Sequence, residues 1–317
     1  MGRWNIRWSI LLVLWCVTGV KLAAMKVESL DRGWFFNRGY ESQAADKVTV
    51  DLPHTWNAAD AMFGNVIYYR GMSTYSRFIV VPSSENFKRV FLRVKADVNL
   101  DNHFVAQHKG GYTSFTVELT HLIRKGEKHK LDIRVSNAQT MEIAPICGDF
   151  NIWGGLNRGV ELLYTDDACI DPTFYGSSGV FFTQCDVSEK YAGLEMKALL
   201  SGTEMALNDC SIEFSLLDAK RKVVLCKETS VSGKEALVKM ELNNPHLWDG
   251  VNNPYLYTGV VVLKRGGKEI DRREEHVGFW FYSADPDKGF FLNGKPYSIH
   301  GVNYHEDRAE RASAFRP

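Results

Sequence analysis

A cluster of polar side chains follows a short apolar segment near the end of the sequence. The segment 297–302 (YSIHGV) leads directly into Asn303, His305, Glu306 and Asp307. Amide, imidazole and carboxylate groups placed together can hydrogen-bond hydroxyl groups and exchange protons. The functional residues of a parallel barrel lie at the carboxyl ends of its strands. The pattern therefore predicts the first strand of a barrel with half of a polar site at its end.

A second candidate lies in a loop earlier in the chain, where Asp149 is followed by Phe150 and Trp153. A carboxylate beside aromatic rings suits sugar binding, because the carboxylate accepts hydrogen bonds from hydroxyls while a ring covers the apolar face of the sugar. Asp149 is therefore a predicted sugar contact and Trp153 a supporting residue. The alternative interpretation of Asp149 is a loop or capping aspartate.

The composition excludes some classes of function. The 317 residues carry 38 basic and 38 acidic side chains, so no net field attracts nucleic acid or an anionic membrane. Basic runs interleaved with aromatics are absent, and we expect no nucleic-acid partner. An apolar content of 45% and an aromatic content of 12% fit a globular protein of about two domains.

The first 24 residues have the pattern of a secretory signal peptide. Arg3 and Arg7 precede the apolar run 9–20, and Ala23-Ala24 supplies small residues for cleavage. The run is too short for a comfortable membrane span. This favours cleavage and a secreted or periplasmic protein, without a membrane span in the mature chain, over a retained anchor or lipidation at Cys16.

The remaining cysteines are widely spaced, so they predict neither a disulfide framework nor a metal site. They are Cys147, Cys169, Cys185, Cys210 and Cys226. We expect mostly buried, free thiols, with a single bridge between Cys210 and Cys226 left open.

The chain after residue 24 is predicted to be all-β. Short alternating runs bounded by Gly, Pro, Asn, Asp or Ser recur from residue 25 to about 168 and again from 169 to 282, and helical periodicity is almost absent. The second series fits an immunoglobulin-like sandwich. Asn293-Gly294 is expected to form a type I′ hairpin turn.

Five stretches, in order along the chain, resemble glycoside hydrolase family 2, the family of β-galactosidases, β-glucuronidases and β-mannosidases. They are DLPHTWN (51–57), VNLDNHFVAQHKGGYTSFTVELT (98–120), DFNIWGGLNRGVELL (149–163), HLWDGVNNPYLYTGVVVL (246–263) and GFFLNGKPYSIHGVNYHEDR (289–308). The resemblance implies a jelly-roll sugar-binding domain at 25–168 and an immunoglobulin-like domain at 169–282. Residues 283–317 would be the start of a truncated (β/α)8 catalytic barrel.

The resemblance also implies a chemistry. Family members are retaining glycosidases with two glutamates on later barrel strands, and retention requires carboxyl groups about 5–5.5 Å apart. Neither glutamate motif is present, and Glu306 matches neither of them. We therefore expect a truncated β-galactosidase-like hydrolase of terminal β-linked sugars without activity as this chain. The alternative is a non-catalytic carbohydrate-binding module, in which the jelly roll alone holds glycans.

The resemblance to the family also implies roles for individual residues of the site. Asp149 would reach the barrel site, contacting the sugar and in some members a sodium ion, while His305 and Asn303 would bind the sugar. Glu306 and Asp307 would brace that loop. No cofactor is expected, apart from sodium or magnesium in intact family members.

Other positions leave questions open. Tyr304 stands where the family usually has Arg, and Asp101-Asn102 where it has Asn-Gly. The loop of His54, Trp56 and Asn57 could touch either a barrel or a sugar.

The expected partners are a β-linked oligosaccharide or glycan and, because faces meant for a barrel would be exposed, an oligomer or a complementary barrel fragment. The sequence does not separate galactoside from glucuronide or mannoside.

Overall fold

The structure is a computed structural model. It describes residues 25–39, 48–60, 68–84, 86–94, 96–143, 151–304, 311, 312 and 314. The signal segment 1–24, Cys147 and four predicted site residues lie outside this part of the chain; the four are Asp149, His305, Glu306 and Asp307.

The first ten strands form two antiparallel sheets. They are β1 (Lys26–Ser29), β2 (Trp34–Arg38), β3 (Val48–Val50), β4 (Met72–Val80), β5 (Arg89–Val94), β6 (Asp97–Leu100), β7 (His103–Ala106), β8 (Phe115–Glu118), β9 (Lys128–Ser136) and β10 (Glu161–Thr165). One sheet has the order β3-β2-β4-β9-β6-β7 and the other β1-β10-β5-β8. Trp34 and Tyr75 of the larger sheet and Leu92 of the smaller one share one buried core, so the sheets form a sandwich.

Two further sheets follow. They contain β11 (Cys169–Ile170), β12 (Val180–Cys185), β13 (Tyr191–Ser201), β14 (Cys210–Leu217), β15 (Val223–Ser230), β16 (Glu235–Asn243), β17 (Tyr257–Arg265) and β18 (Lys268–Val277), with one helix, α1 (Glu204–Asn208). One sheet joins β11, β12 and β16 to β13, and the other has the order β15-β14-β17-β18. Alternation explains the packing: Leu194, Met196 and Ala198 of β13 are buried in a core shared with Phe214 of β14.

A small fifth sheet follows, with β19 (Tyr282–Asp285), β20 (Gly289–Leu292) and β21 (Lys295–Pro296). Asn293 and Gly294 have φ of 50° and 75° and connect β20 to β21 as expected of a type I′ turn. Asp101 and Asn102 have φ of 47° and 66° in the β6–β7 hairpin, so this pair performs the turn without a glycine.

The described residues are nearly all in strands or loops, and they contain no closed barrel, so the all-β prediction is confirmed. The expected strand at 297–302 is not formed, because residues 297–304 have no strand pairing in the described chain and are half-buried or exposed. A barrel strand needs hydrogen-bonded neighbours on both sides, and the described chain supplies none for this segment. No described helix is long and apolar enough to cross a membrane.

Three arginines connect the two sandwiches. Arg89 donates to both carboxylate oxygens of Glu118 at 2.9 and 2.7 Å and to the Ser201 hydroxyl at 3.0 Å. Arg265 binds the carboxylate of Asp167 at 2.6 Å. Arg273 pairs with Asp271 of its own strand and donates to the sulfur of Met25, next to β1, at 3.4 Å. These contacts fix the strands at the junction.

The cysteines are free where they are described. Cys169 and Cys210 are buried, while Cys185 and Cys226 are exposed. Cys226 lies opposite Ser215 in the β14–β15 pairing, five residues along the strand from Cys210. That offset is about 16 Å at the usual rise of a strand, whereas a disulfide needs Cα atoms within about 7 Å. The bridge left open by the sequence is therefore not formed.

Candidate functional site

Two of the predicted site residues are described by the structure, and they differ in burial. Trp153 is half-buried in the loop that follows residue 150, and Asn303 is exposed beside Tyr304, which is 75% exposed. Because Asp149, His305, Glu306 and Asp307 lie outside the described residues, their roles stay predictions. The described part of the candidate site is thus the loop around Trp153.

This loop pairs with the loop that carries His54 and Trp56. The His54 N–H donates to the Leu156 carbonyl at 2.9 Å, and the Trp56 N–H donates to the Gly154 carbonyl at 3.0 Å. The two segments are about 100 residues apart in sequence, so this pairing is a long-range contact that closes one end of the first sandwich. It places Trp153 next to a fixed piece of backbone.

Gly154 and Gly155 permit the close approach. A Cβ atom on Gly154 would lie 2.2 Å from a ring carbon of Trp56. One on Gly155 would lie 2.1 Å from the His54 carbonyl oxygen, and Gly155 has a φ of +143°. Both positions therefore require glycine, which gives a packing reason for the GG in the sequence WGGLN.

His54 is a structural residue in this fold. Its Nδ1 lies 2.7 Å from the Tyr75 hydroxyl, and its ring packs against Phe36 at 4.9 Å between centroids. The Tyr75 oxygen accepts from the Leu156 N–H, so its proton is available for Nδ1. Burial lowers the pKa of His54 to about 4 and raises the pKa of Tyr75. A neutral imidazole in this position is a hydrogen-bond acceptor, not a proton donor at neutral pH.

Trp56 and Asn57 are also buried within the first sandwich, at 7% and 0% exposure. The Trp56 ring stacks on Phe36 at 6.1 Å between centroids. The Asn57 side chain bonds the Trp153 loop, donating to the Ile152 carbonyl at 3.1 Å and accepting from the Gly154 N–H at 2.9 Å. The side chains of this loop therefore hold another loop of the same sandwich, and its contact with a barrel or a sugar stays a prediction.

One pair of carboxyl groups has pKa values displaced in opposite directions, which is a common mark of acid–base sites. Burial and the neighbouring Asp167 raise the pKa of Asp166. Hydrogen bonds from Asp166 and Arg265 lower the pKa of Asp167 to about 2. The two residues are adjacent in sequence and both bind Arg265 at the junction of the sandwiches. This geometry is that of an ion pair that joins two sheets.

No three His, Cys, Asp or Glu side chains of the described residues come together as a group that could hold a metal ion. Asp149, the residue for which the resemblance implies a sodium contact, is not among them.

An apolar groove lies on the second sandwich, beside the small fifth sheet. We call it the aromatic groove; it has a volume of about 430 Å³ and is lined by Trp248, Leu256, Gly278, Trp280, Phe290, Leu292, Tyr297 and Ile299. Its walls are almost wholly apolar, and Ile299 and the nearby Val302 are 69% and 94% exposed. The groove offers few hydrogen-bonding groups to a sugar, so it is a packing surface rather than a second sugar site.

Comparison with known proteins gives these features a context. Residues 179–279 match the family model described as glycosyl hydrolases family 2. A β-glucuronidase of Bacteroides fragilis is 39% identical over 299 residues, covering 91% of this chain and 42% of that enzyme. This chain is a relative of the family 2 glycosyl hydrolases.

Other family 2 relatives agree with this assignment. A β-galactosidase of Bacteroides ovatus is 27% identical, covering 92% of this chain and 36% of that enzyme. A solved structure from Bacteroides fragilis, described as a candidate β-galactosidase, superposes with a TM-score of 0.87 at 30% identity. It covers 93% of this chain and 47% of the other. The chain thus spans less than half the length of these relatives, and its fold matches their N-terminal β domains.

The sequence did not single out Tyr68 or Asn137, two residues that bond the Trp153 loop at Ile152. Tyr68 lies four residues before β4, and Asn137 directly follows β9. A polar residue at the end of a strand was the available signal, and it is a weak one.

Proposed function

We propose that this chain is the sugar-facing β portion of a retaining glycosidase that cleaves terminal β-linked sugars, and that the 317-residue chain alone has no hydrolytic turnover. The observation that carries the proposal is the 39% identity over 299 residues to an enzyme named a β-glucuronidase. Agreement over 91% of this chain includes both sandwiches, not one common module.

The absence of turnover has a chemical reason. Retention requires one carboxylic acid and one carboxylate about 5–5.5 Å apart on opposite sides of the glycosidic bond. The sequence lacks both glutamate motifs that the family uses. Asp166 and Asp167, whose pKa values are displaced in opposite directions, do not replace the two catalytic glutamates, because Arg265 binds both side chains.

The first substrate class to test is a β-glucuronide. The B. fragilis relative is named a β-glucuronidase, and the B. ovatus relative at 27% identity a β-galactosidase. We propose the same order of preference here, glucuronide before galactoside.

Export after cleavage near Ala24 is part of the proposal, and N-terminal sequencing of protein recovered outside the cytoplasm tests it.

The test uses two proteins. The purified 317-residue chain should release no nitrophenol from 4-nitrophenyl β-glucuronide or β-galactoside. In a chimera, this chain replaces the aligned 299 residues of the B. fragilis β-glucuronidase, and it should hydrolyse the glucuronide in preference to the galactoside. Turnover by the isolated chain contradicts the claim of inactivity. An inert, folded chimera whose β portion still binds the glucuronide would favour the binding-module alternative.

A further inference from the structure

The backbone of one residue in the Trp153 loop, Ile152, is bonded by three side chains. The Ile152 carbonyl accepts from the Nδ2 atoms of Asn57 at 3.1 Å and Asn137 at 3.0 Å. The Ile152 N–H donates to the Tyr68 hydroxyl at 2.9 Å. Both backbone polar groups of Ile152 are therefore held by side chains, and the carbonyl uses both of its acceptor positions.

The three side chains come from separate segments. Asn57 follows the loop of His54, Tyr68 precedes β4 by four residues, and Asn137 directly follows β9. Loop peptides at a protein surface are usually free to bond water. Here side chains from three separate segments of the first sandwich bond the backbone of a single loop residue, and they fix its position.

The two asparagines are fixed at their other ends. Asn57 is 0% exposed, and its Oδ1 accepts from the Gly154 N–H at 2.9 Å. Asn137 is 7% exposed, and its Oδ1 accepts from the Gly71 N–H at 2.9 Å. Rotation of either amide would place two donors or two acceptors against each other. Each asparagine is therefore a rigid link between the Trp153 loop and the sandwich.

We propose that Asn57, Asn137 and Tyr68 are positioning residues that hold the backbone of Ile152 so that the adjacent Trp153 is presented to the sugar. This inference rests on the proposed sugar-binding function. Trp153 is half-buried, and Gly154 on its other side is fixed by Asn57. A stacking ring needs a defined backbone position, because its contact with the sugar depends on ring distance and tilt. We call the three residues the Ile152 clamp.

Aspartate substitutions test the clamp with little change in shape. Asn57→Asp and Asn137→Asp keep the Oδ1 acceptor but replace the Nδ2 donor with an oxygen that faces the Ile152 carbonyl. Tyr68→Phe removes only the hydroxyl. Asn102→Asp, in the exposed β6–β7 turn, is the matched control. Amide hydrogen exchange of the purified chain is followed at Ile152, Gly154 and the core residue Ile133.

Tyr68→Phe should speed exchange of the Ile152 N–H by about three- to tenfold, the effect of losing its hydrogen bond to the hydroxyl, and each asparagine variant should also speed it by releasing the Ile152 carbonyl. In the Asn57→Asp/Asn137→Asp double variant, the factor by which exchange at Ile152 speeds up should exceed the product of the two single-variant factors, because both donors share one acceptor. Exchange at Ile133 should not change, and Asn102→Asp should match the parent. Unchanged exchange at Ile152 in all three single variants would overturn the clamp.

Sugar binding provides the functional readout. Phenyl β-D-thioglucuronide, a substrate analogue that resists hydrolysis, is titrated into the chain while fluorescence is recorded, and Trp153→Phe identifies the part of the signal that comes from Trp153. The clamp variants should bind about fivefold more weakly. Faster exchange with unchanged affinity would overturn the positioning role. If the parent chain does not bind the analogue, the proposed function fails and the positioning role fails with it, while the exchange data still decide whether the clamp exists.

Discussion

Protonation of His54 should destabilise the first sandwich in mild acid. Burial lowers the pKa of this imidazole from 6.5 to about 4, and its Nδ1 accepts the Tyr75 hydroxyl proton at 2.7 Å. In the unfolded chain the imidazole has its ordinary pKa, so between pH 6.5 and 4 the unfolded state binds more protons than the folded state. The free energy of unfolding therefore falls as the pH falls through this window.

The size of the effect follows from the two pKa values. With 6.5 unfolded and about 4 folded, linkage gives a loss of about 2 kcal/mol between pH 7 and pH 5 and about 3 kcal/mol by pH 4. Below pH 4 both states are protonated and the contribution of His54 stops changing. These are large fractions of the stability of an ordinary domain.

Urea unfolding at pH 7 and pH 5 measures this loss, with His54→Gln as the comparison. Gln can accept the Tyr75 proton but does not titrate, so the variant should lack about 2 kcal/mol of the pH dependence seen in the parent. Its stability at pH 7 is a separate quantity and does not enter the comparison. The ring resonance of His54 gives the folded pKa directly by NMR. A midpoint near 6.5, or equal pH dependence in parent and variant, would refute the reasoning.

Three further results are expected. Gly155→Ala should lower the free energy of unfolding by at least about 2 kcal/mol, since its Cβ would meet the His54 carbonyl oxygen at a positive φ. Thermal unfolding measures this loss, and Gly111→Ala, which has open space around it, is the control and should be close to neutral. Asp271→Asn should cost about 3–5 kcal/mol because it leaves a buried Arg273 without its ion pair, and chemical denaturation would show this; an unchanged midpoint would contradict it. The parent chain should bind the dye ANS at the aromatic groove and self-associate at high concentration. Trp280→Ser should reduce both dye binding and self-association. A parent chain that stays monomeric in ultracentrifugation would contradict the prediction that this groove mediates association.

Much of the fold could be predicted because its signals are local. The Asn293-Gly294 turn follows from two residues that tolerate positive φ, and alternation along β16 separates buried Ala236 and Val238 from exposed neighbours. The segment 297–302 shows the limit of such reasoning. Its residues suit a strand, but a strand forms only where neighbouring backbone completes its hydrogen bonds, and periodicity carries no information about neighbours.

The candidate site was less predictable because its contacts are distant in sequence. Asn57 and Tyr68 reach Ile152 across 95 and 84 residues, and Asn137 across 15. An asparagine at the end of a strand or a tyrosine in a loop has many roles, and no spacing rule connects these three residues. Only the packing of two loops brings these three side chains to the backbone of one residue, Ile152.

The structure changes how the motifs of this chain should be weighed as signs of chemistry. His54, Trp56, Gly154 and Gly155 belong to the stretches that resemble family 2, yet each is explained by the contact between two loops. A motif that packing requires would persist in a relative that no longer binds sugar. Trp153 is different, because no close approach of the backbone demands an indole there. Trp153 and the exposed Asn303 are therefore the described residues at which glycan binding can be tested, and substitutions there should change affinity while leaving the fold intact.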